Sequence, residues 1–159
     1  MVELLVKNLY NRRLADSLVI DALEPLDKVI RTLYKKPNLR DVFLVTPENR
    51  LYGTVTRHDL LVFLTKQLGS TAGQSIVEVA ATLKKAKVKD VVHKFSYVTS
   101  VTPDTNISEA LKAMVMLDVV DIPVIDKNRR IIGEITLPAI LNRILQAPRK
   151  KHNIQDFSR

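Results

Sequence analysis

The chain has 159 residues, 46% of them hydrophobic and 26% charged, a composition that is ordinary for a soluble globular protein of one domain or two small repeats. The absence of cysteine excludes disulfides and thiolate metal sites, and no apolar run approaches the ~18 residues of a membrane span. A formal net charge of +8 indicates either polyanionic partners or a basic solvated surface.

The first half of the chain predicts the element order β-α-β-β-α. We expect a strand at 17–22, a helix at 26–34, strands at 41–45 and 51–56, and a helix at 57–68. Apolar residues that recur at the helical period place one face of the first helix against a core; they are Leu26, Val29, Ile30 and Leu33.

A polar break and an extra helix are predicted between the two halves. The segment "GSTAGQ" is rich in small polar residues and indicates a flexible connection. Ser75 followed by Glu78 predicts a capping box at the start of a helix over 75–87.

The second half predicts the same element order. We expect strands at 96–101, 122–126 and 131–136, with a closing helix at 137–145 that carries Pro138 in its first turn. Asn106 and Glu109 predict a capping box at the start of a further helix, whose apolar face carries Ile107, Ala110, Leu111 and Met114.

The two halves also share a sequence motif. The stretches "RLYGTVTRHDLL" at 50–61 and "RIIGEITLPAIL" at 130–141 place their glycines 80 residues apart (133 minus 53), but the first carries Asp59 where the second carries Ala139. One such unit buries little apolar surface alone, so we expect two α/β (α+β) repeats to pack sheet against sheet with pseudo-two-fold symmetry.

The first of these stretches has the chemistry of a nucleotide site. Gly53 lets a ligand approach the end of a strand, and Thr56 offers a hydroxyl at a helix N-terminus, where phosphate is favoured. Asp59 offers two acceptor oxygens for the hydroxyls of a ribose. The alternative is that Asp59 is only a stabilising acid in the first turn of a helix.

The segment "VTPDTNISEALKAMVMLDVVDIPVIDKNRRIIGEIT" resembles a cystathionine-β-synthase-type (CBS) motif, and the first half resembles a more divergent copy. Together they resemble a tandem CBS pair, or Bateman module, over residues 14–145. The resemblance implies an N-terminal segment and first motif at 1–68, a linker with a helix at 69–87, a second motif at 88–147 and a basic tail at 148–159.

The resemblance also implies an adenine-nucleotide site formed by both repeats. Its residues would be Gly53, Thr54, Thr56, Arg57, His58, Asp59, Ser96, Tyr97, Val98, Val119, Val120 and Asp121. A second site, which lacks the ribose carboxylate, would use Leu18, Val19, Leu39, Arg40, Asp41 and Thr136. Asp121 departs from the family pattern, because some relatives have a basic phosphate ligand there.

The function implied is that of a cytoplasmic regulatory module that binds AMP, ADP, ATP or S-adenosylmethionine, forms a homodimer and acts on an effector protein. The alternative is an interaction or nucleic-acid-binding module that uses the basic termini, "VKNLYNRR" and "RKKHNIQDFSR". Because the three histidines are scattered and no P-loop or nucleophile elbow is present, we expect no enzyme, no catalytic residues and no metal site.

Overall fold

Two copies of one α+β unit form the chain in the computed structural model, which describes residues 3–14, 17–69, 75–92 and 100–147. The first copy contains β1 (Ser17–Asp21), α1 (Leu26–Lys35), β2 (Asp41–Val45), β3 (Leu51–Val55) and α2 (Arg57–Gly69). The connecting helix is α3 (Ile76–Lys85). The second copy contains α4 (Ile107–Leu117), β4 (Asp121–Ile125), β5 (Ile131–Thr136) and α5 (Leu137–Leu145).

Each copy is built on a small sheet with the same pairing. In the first sheet, β1 lies parallel to β2, and β2 lies antiparallel to β3. In the second sheet, β4 lies antiparallel to β5. The predicted strand at 96–101 lies mostly outside the described residues, but its last residue, Val101, forms a parallel bridge with Val124. Val101 therefore pairs with β4 on the parallel side, as β1 pairs with β2.

Each sheet is covered by helices that bury the apolar faces predicted from the sequence. In the first copy, Leu26 and Val29 of α1 are fully buried, and Ile30 and Leu33 pack against the same cluster. In the second copy, the buried residues of α4 are Ile107, Ala110 and Met114, with Leu111 packed beside them. The helical period is thus confirmed in both copies.

The segment that precedes each copy packs on the other copy, an exchange that the sequence did not indicate. A short 3₁₀ helix at Val6–Asn8 buries Val6 in the core of the second copy. Its backbone donates from Val6 N to Thr105 O (2.9 Å) and from Lys7 N to Pro103 O (2.8 Å).

A matching 3₁₀ helix at Val88–Val91 buries Val88 and Val91 in the core of the first copy. Val88 N donates to Glu24 O (2.9 Å), and Lys89 N donates to Ala22 O (3.1 Å). Each apolar core is therefore completed by valine side chains that arrive from outside its own repeat.

The capping box at Ser75 is confirmed, whereas the one predicted at Asn106 is wrong. Ser75 N donates to Glu78 Oε2 at 2.8 Å, and Glu78 N donates back to Ser75 Oγ at 3.4 Å. Asn106 instead accepts from Ser108 N at 2.9 Å, and its amide Nδ2 donates to Glu3 Oε1 at 2.7 Å. Leu5 of the N-terminal segment forms an antiparallel bridge with Asn106. Glu3 of the same segment, rather than Glu109, supplies a carboxylate to Asn106.

The two copies also contact each other through equivalent hairpin turns. Asn49 and Arg129, 80 positions apart, both have left-handed backbones, with φ of 61° and 63°. Leu51 N donates to Arg129 O at 2.8 Å, so the hairpin of one copy hydrogen-bonds to the hairpin of the other. This hydrogen bond joins the two copies at their hairpins.

Candidate functional site

A cleft of about 210 Å³ lies between the two copies, at the end of β3 and the start of α2. The first copy contributes the start of β2, the residue after β3 and the start of α2, and the second contributes the segment between α4 and β4. The residues that line it are Arg40, Asp41, Thr56, Arg57, His58, Asp118, Val119 and Val120. A ligand in this cleft would contact both copies at once.

Thr56 and Asp59 form a reciprocal hydrogen-bond network at the N-terminus of α2. Asp59 Oδ2 accepts from Thr56 N at 2.8 Å and from Thr56 Oγ1 at 2.9 Å. Asp59 N donates to Thr56 Oγ1 at 3.1 Å. This arrangement is a capping box. Asp59 therefore stabilises the first turn of α2, which is the structural role that the sequence offered as the alternative to ligand binding. A carboxylate oxygen has further lone pairs, however, so this cap does not exhaust the accepting capacity of Asp59.

Arg57 is held at the rim of the cleft by backbone carbonyls of its own copy. Its Nη2 donates to Leu39 O at 2.8 Å and also to Pro37 O. These bonds tie the start of α2 to the loop before β2. The guanidinium is therefore fixed beside the cleft, with part of its donor capacity already used.

The bottom of the cleft is acidic. Asp41 is 6% exposed, and burial, followed by the nearby Asp121 carboxylate, raises its pKa from 3.8 to about 7. Asp121 is fully buried, and its Oδ2 lies 3.0 Å from Nε of Arg40. The neighbouring Glu134 is also buried and raises the pKa of Asp41 further. The two equivalent positions, Asp41 and Asp121, thus place two carboxylates across the boundary between the copies.

The corresponding position in the second copy is built differently. Thr136 Oγ1 accepts from Ala139 N at 3.2 Å, so Thr136 caps α5 without any acidic partner. Thr136 is buried and pairs with Asp121 across β4 and β5, whereas Thr56 is only partly buried and lines the first cleft. Both repeats therefore start their last helix with a threonine cap, but only the threonine of the first repeat lines the described cleft.

Gly133, the glycine of the second motif, allows the N-terminal segment to pack closely against β5. A Cβ atom added at Gly133 would lie 2.3 Å from Asn11 O and 2.6 Å from the ring of Tyr10. Asn11 and Glu134 exchange backbone hydrogen bonds of 2.8 and 2.9 Å at this point. The N-terminal segment, rather than a ligand, explains the need for glycine at this position. Gly53 itself is buried in β3.

The structure brings part of the predicted first site together. Thr56, Arg57 and His58 share the cleft with Val119 and Val120, as predicted from the two repeats. The side chains of Thr54 and Asp121 are instead buried within the protein. The segment with Ser96, Tyr97 and Val98 lies outside the described residues.

Residues predicted for the second site are divided among three locations. Arg40 and Asp41 line the same cleft as Thr56, and Leu39 is buried next to them in sequence. Val19 lies in β1 beside Phe43, with Leu18 preceding it, and Thr136 lies at the end of β5. The described cleft therefore combines members of both predicted sites.

One residue of the cleft, Asp118, was not predicted from the sequence. It ends α4 in a left-handed conformation with φ of 52°, and its N–H closes the last turn on Met114 O and Val115 O. Aspartate is one of the few residues other than glycine that adopt this conformation readily. The sequence signal that could have identified Asp118 is an aspartate placed directly after the apolar residues of the helix.

Two negative findings apply to the part of the chain that the structure describes. It contains no group of three or more histidine, cysteine or acidic side chains arranged to hold a metal ion. None of its helices is long and apolar enough to cross a membrane.

Solved structures of CBS domain proteins share this fold. A CBS domain-containing protein from Thermotoga maritima is 20% identical, with a TM-score of 0.71 over 93% of this chain and 99% of that one. CBSX2 in complex with AMP is also 20% identical, with a TM-score of 0.66 over 89% and 96% of the two chains. A CBS domain pair in complex with 5′-methylthioadenosine and S-adenosyl-L-methionine is 17% identical, with a TM-score of 0.61 over 90% and 97%.

No curated protein is significantly similar to the chain in sequence. The model of the CBS domain, by contrast, matches it twice, at residues 6–66 and 88–146. Both matches begin at the valine that opens an exchanged 3₁₀ helix, Val6 in one case and Val88 in the other. These two matches span most of the sequence, and the chain belongs to the CBS domain family, as a tandem pair of its domains.

Proposed function

We propose that this chain is a regulatory module that binds an adenosyl ligand in the cleft between its two CBS domains. The observation that carries the proposal is the composition of the cleft, in which Thr56, at the N-terminus of α2, lies opposite Val119 and Val120 of the other domain. A cleft lined by polar residues of one domain and valines of the other suits a nucleoside, whose ribose is polar and whose base has two apolar faces.

The structural relatives support the chemical class of the ligand. One is bound to AMP, and another is bound to 5′-methylthioadenosine and S-adenosyl-L-methionine. Each of these ligands contains an adenine base joined to a ribose ring. AMP, ADP, ATP and S-adenosylmethionine are therefore the compounds to test first on this chain.

Named residues would hold the common part of these ligands. Asp59, anchored by Thr56, would accept the ribose hydroxyls through its carboxylate. Val119 and Val120 would cover the base, and the segment with Ser96, Tyr97 and Val98 would contribute backbone groups to its edge. Gly53 and Thr54 would support the strand end from within the protein.

The regulatory role follows from the position of the cleft. The two domains are joined across their boundary by the Leu51–Arg129 backbone hydrogen bond and the Arg40–Asp121 ion pair. A ligand that contacts both domains favours one geometry of this boundary, because it stabilises the arrangement that it binds best. An effector protein would sense that geometry. In this proposal the module carries no catalytic residues and turns over no substrate.

The test is isothermal titration calorimetry on the full chain with its Asp59→Ala variant. We expect an adenosyl ligand to bind the wild type and to bind Asp59→Ala at least about tenfold more weakly, since a hydrogen bond to a charged group contributes ~1.5–3 kcal/mol.

The matched control is Glu78→Ala, which removes the capping box of α3 but does not alter a residue that lines the cleft. Its affinity should equal that of the wild type. Equal affinity in Asp59→Ala and Glu78→Ala would show that Asp59 serves only as a cap. Absence of binding by every adenosyl compound would refute the proposal as a whole.

We also propose that the module forms a homodimer through the outer faces of α2 and α5. On these helices, Leu61 is 61% exposed and Leu145 is 84% exposed, with further exposed apolar residues at Leu68, Leu141 and Ile144. Apolar patches of this kind favour a self-complementary interface. Light scattering should show a dimer that Leu61→Glu with Leu145→Glu converts to a monomer, whereas Ile76→Glu on α3 should not. A wild-type monomer at high micromolar concentration would contradict this expectation.

A further inference from the structure

The end of the cleft beside Thr56 is lined by a buried carboxyl group. Val42 pairs with Val55 across β2 and β3, so Asp41 and Thr56 are the next residues on the two strands and lie side by side. Asp41 is 6% exposed, and its Oδ2 makes no hydrogen bond within the described part of the chain. Asp41 also lines the cleft, so its charge acts on a ligand there although Oδ2 itself is buried.

Most charged groups around Asp41 carry the same sign as its carboxylate. Asp59 of α2, Asp121 of β4 and Glu134 of β5 all raise its pKa, as does its burial. Arg40, just before β2, lowers the pKa of Asp41, but its Nε already lies 3.0 Å from Asp121 Oδ2. Asp118 adds a further acid from the other side of the cleft. The acids thus outnumber the cations on the described elements that surround this end of the cleft.

The donors that usually bind phosphate at a helix N-terminus are also engaged. Both the backbone N–H and the hydroxyl of Thr56 donate to Asp59 Oδ2. Arg57 donates to the carbonyls of Pro37 and Leu39. His58 lines the rim of the same cleft, and part of the donor capacity of Arg57 is already used. A phosphate group placed beside Thr56 would have to displace a carboxylate and approach a second one.

We infer that the cleft selects adenosyl ligands whose 5′ substituent is uncharged or cationic, and that Asp41 discriminates against a 5′ phosphate. This inference rests on the proposed function and narrows its ligand class to nucleosides, thioether nucleosides and sulfonium nucleosides. A cationic or hydrogen-bond-donating substituent is attracted by the Asp41 carboxylate, whereas a phosphate is repelled by it.

Calorimetry at pH 8 with adenosine, 5′-methylthioadenosine, S-adenosylmethionine, AMP and ATP tests the inference on the full chain. We expect the three ligands without phosphate to bind at least about tenfold more tightly than AMP and ATP. In Asp41→Asn, which keeps the shape of the side chain but removes its charge, the affinity for AMP relative to that for adenosine should rise at least about tenfold.

Asp104→Asn provides the matched control, since it neutralises an exposed aspartate that pairs with Lys7 and does not line the cleft. Its ratio of AMP to adenosine affinity should equal that of the wild type. Tighter binding of AMP than of adenosine by the wild type, or an unchanged ratio in Asp41→Asn, would overturn the inference while the proposed function stands. If none of the five compounds binds, the proposed function fails and the inference fails with it.

A second measurement keeps the inference testable if Asp41→Asn does not fold. The methyl ester of AMP carries one negative charge that does not change with pH, and its affinity relative to adenosine should rise as the pH falls from 8 to 6, because Asp41 gains a proton. His58→Gln should retain this rise, since it leaves Asp41 in place. A ratio that is constant with pH, or a rise that disappears in His58→Gln, would overturn the role of Asp41.

Discussion

The stability of the protein should depend on the charge of Asp41, and replacing this residue with asparagine measures that dependence. Burial and the Asp121 carboxylate raise the pKa of Asp41 from 3.8 to about 7 in the folded protein. Because a tenfold change in a protonation equilibrium corresponds to ~1.4 kcal/mol, the ionised side chain destabilises the fold by about 4 kcal/mol at pH 8.

The sign of the pH dependence follows from which state holds the proton more tightly. Between pH 4 and 7 the folded protein keeps the proton of Asp41, whereas the unfolded chain releases it. The free energy of unfolding therefore falls as the pH rises through this window. At pH 5 the cost of Asp41 is only about 2 kcal/mol, so it grows by about 2–3 kcal/mol between pH 5 and pH 8.

Urea unfolding of the wild type and Asp41→Asn at both pH values provides the measurement. The free energy of unfolding of the variant, relative to that of the wild type, should rise by about 2–3 kcal/mol from pH 5 to pH 8. Any effect of the asparagine that does not depend on pH cancels in this comparison. Asp104→Asn should show a difference below about 1 kcal/mol at either pH, because its partner Lys7 and its own side chain are largely exposed. A gain in Asp41→Asn that is the same at both pH values would refute the reasoning.

Two further predictions concern the second repeat. Gly133→Ala should destabilise the protein by about 1–3 kcal/mol in thermal or urea unfolding, because the added Cβ would clash with Asn11 O. Gly69→Ala is the control and should not destabilise the protein, because there is open space around Gly69. Equal effects of the two substitutions would contradict the close approach of Asn11 to Gly133. Ala139→Asp should add a second adenosyl site, because it places a carboxylate beside the Thr136 cap. Calorimetry should then show two ligands bound per chain. A stoichiometry that stays at one per chain would show that the burial of Thr136 closes this site.

The regular elements could be predicted because local sequence determines them. The spacing of Leu26, Val29 and Leu33 indicated α1, and all three contribute to one core. The stretches 131–136 and 137–145 are observed as β5 and α5 with the predicted bounds. The prediction that the chain is a tandem CBS pair is confirmed by the two matches to the family model.

The exchange of segments could not be predicted, because it depends on contacts between residues far apart in sequence. Val6 joins a core whose other buried residues all lie after position 100, and a 3₁₀ turn of three residues carries no periodic signal. The same distance effect explains the error at Asn106. Its local sequence matches a capping box, but Glu3, 103 positions away, binds its side chain.

Individual residues of the candidate site could be predicted from the sequence, but their arrangement around one cleft could not. The motif located Thr56 and Asp59, and the resemblance added Val119 and Val120 from the other repeat. Neither indicated that Arg40 and Asp41 share the cleft with Thr56, because that proximity depends on the register of β2 with β3. Burial of a carboxylate, which determines the charge of this cleft, follows only from the packing of two domains against each other.

The two repeats provide an internal comparison that bears on the role of Asp59. Helix α5 begins with Thr136 alone as its cap, with Pro138 in the first turn and Ala139 at the position equivalent to Asp59. A threonine cap is thus sufficient to start a helix at this point of the fold. Because the helix does not require the carboxylate, capping gives an incomplete explanation for Asp59. Asp59 also belongs to the repeat whose threonine reaches the cleft, whereas Thr136 is buried. The acid therefore occurs where a ligand can approach the cap, which favours a binding role for Asp59 in addition to its structural one.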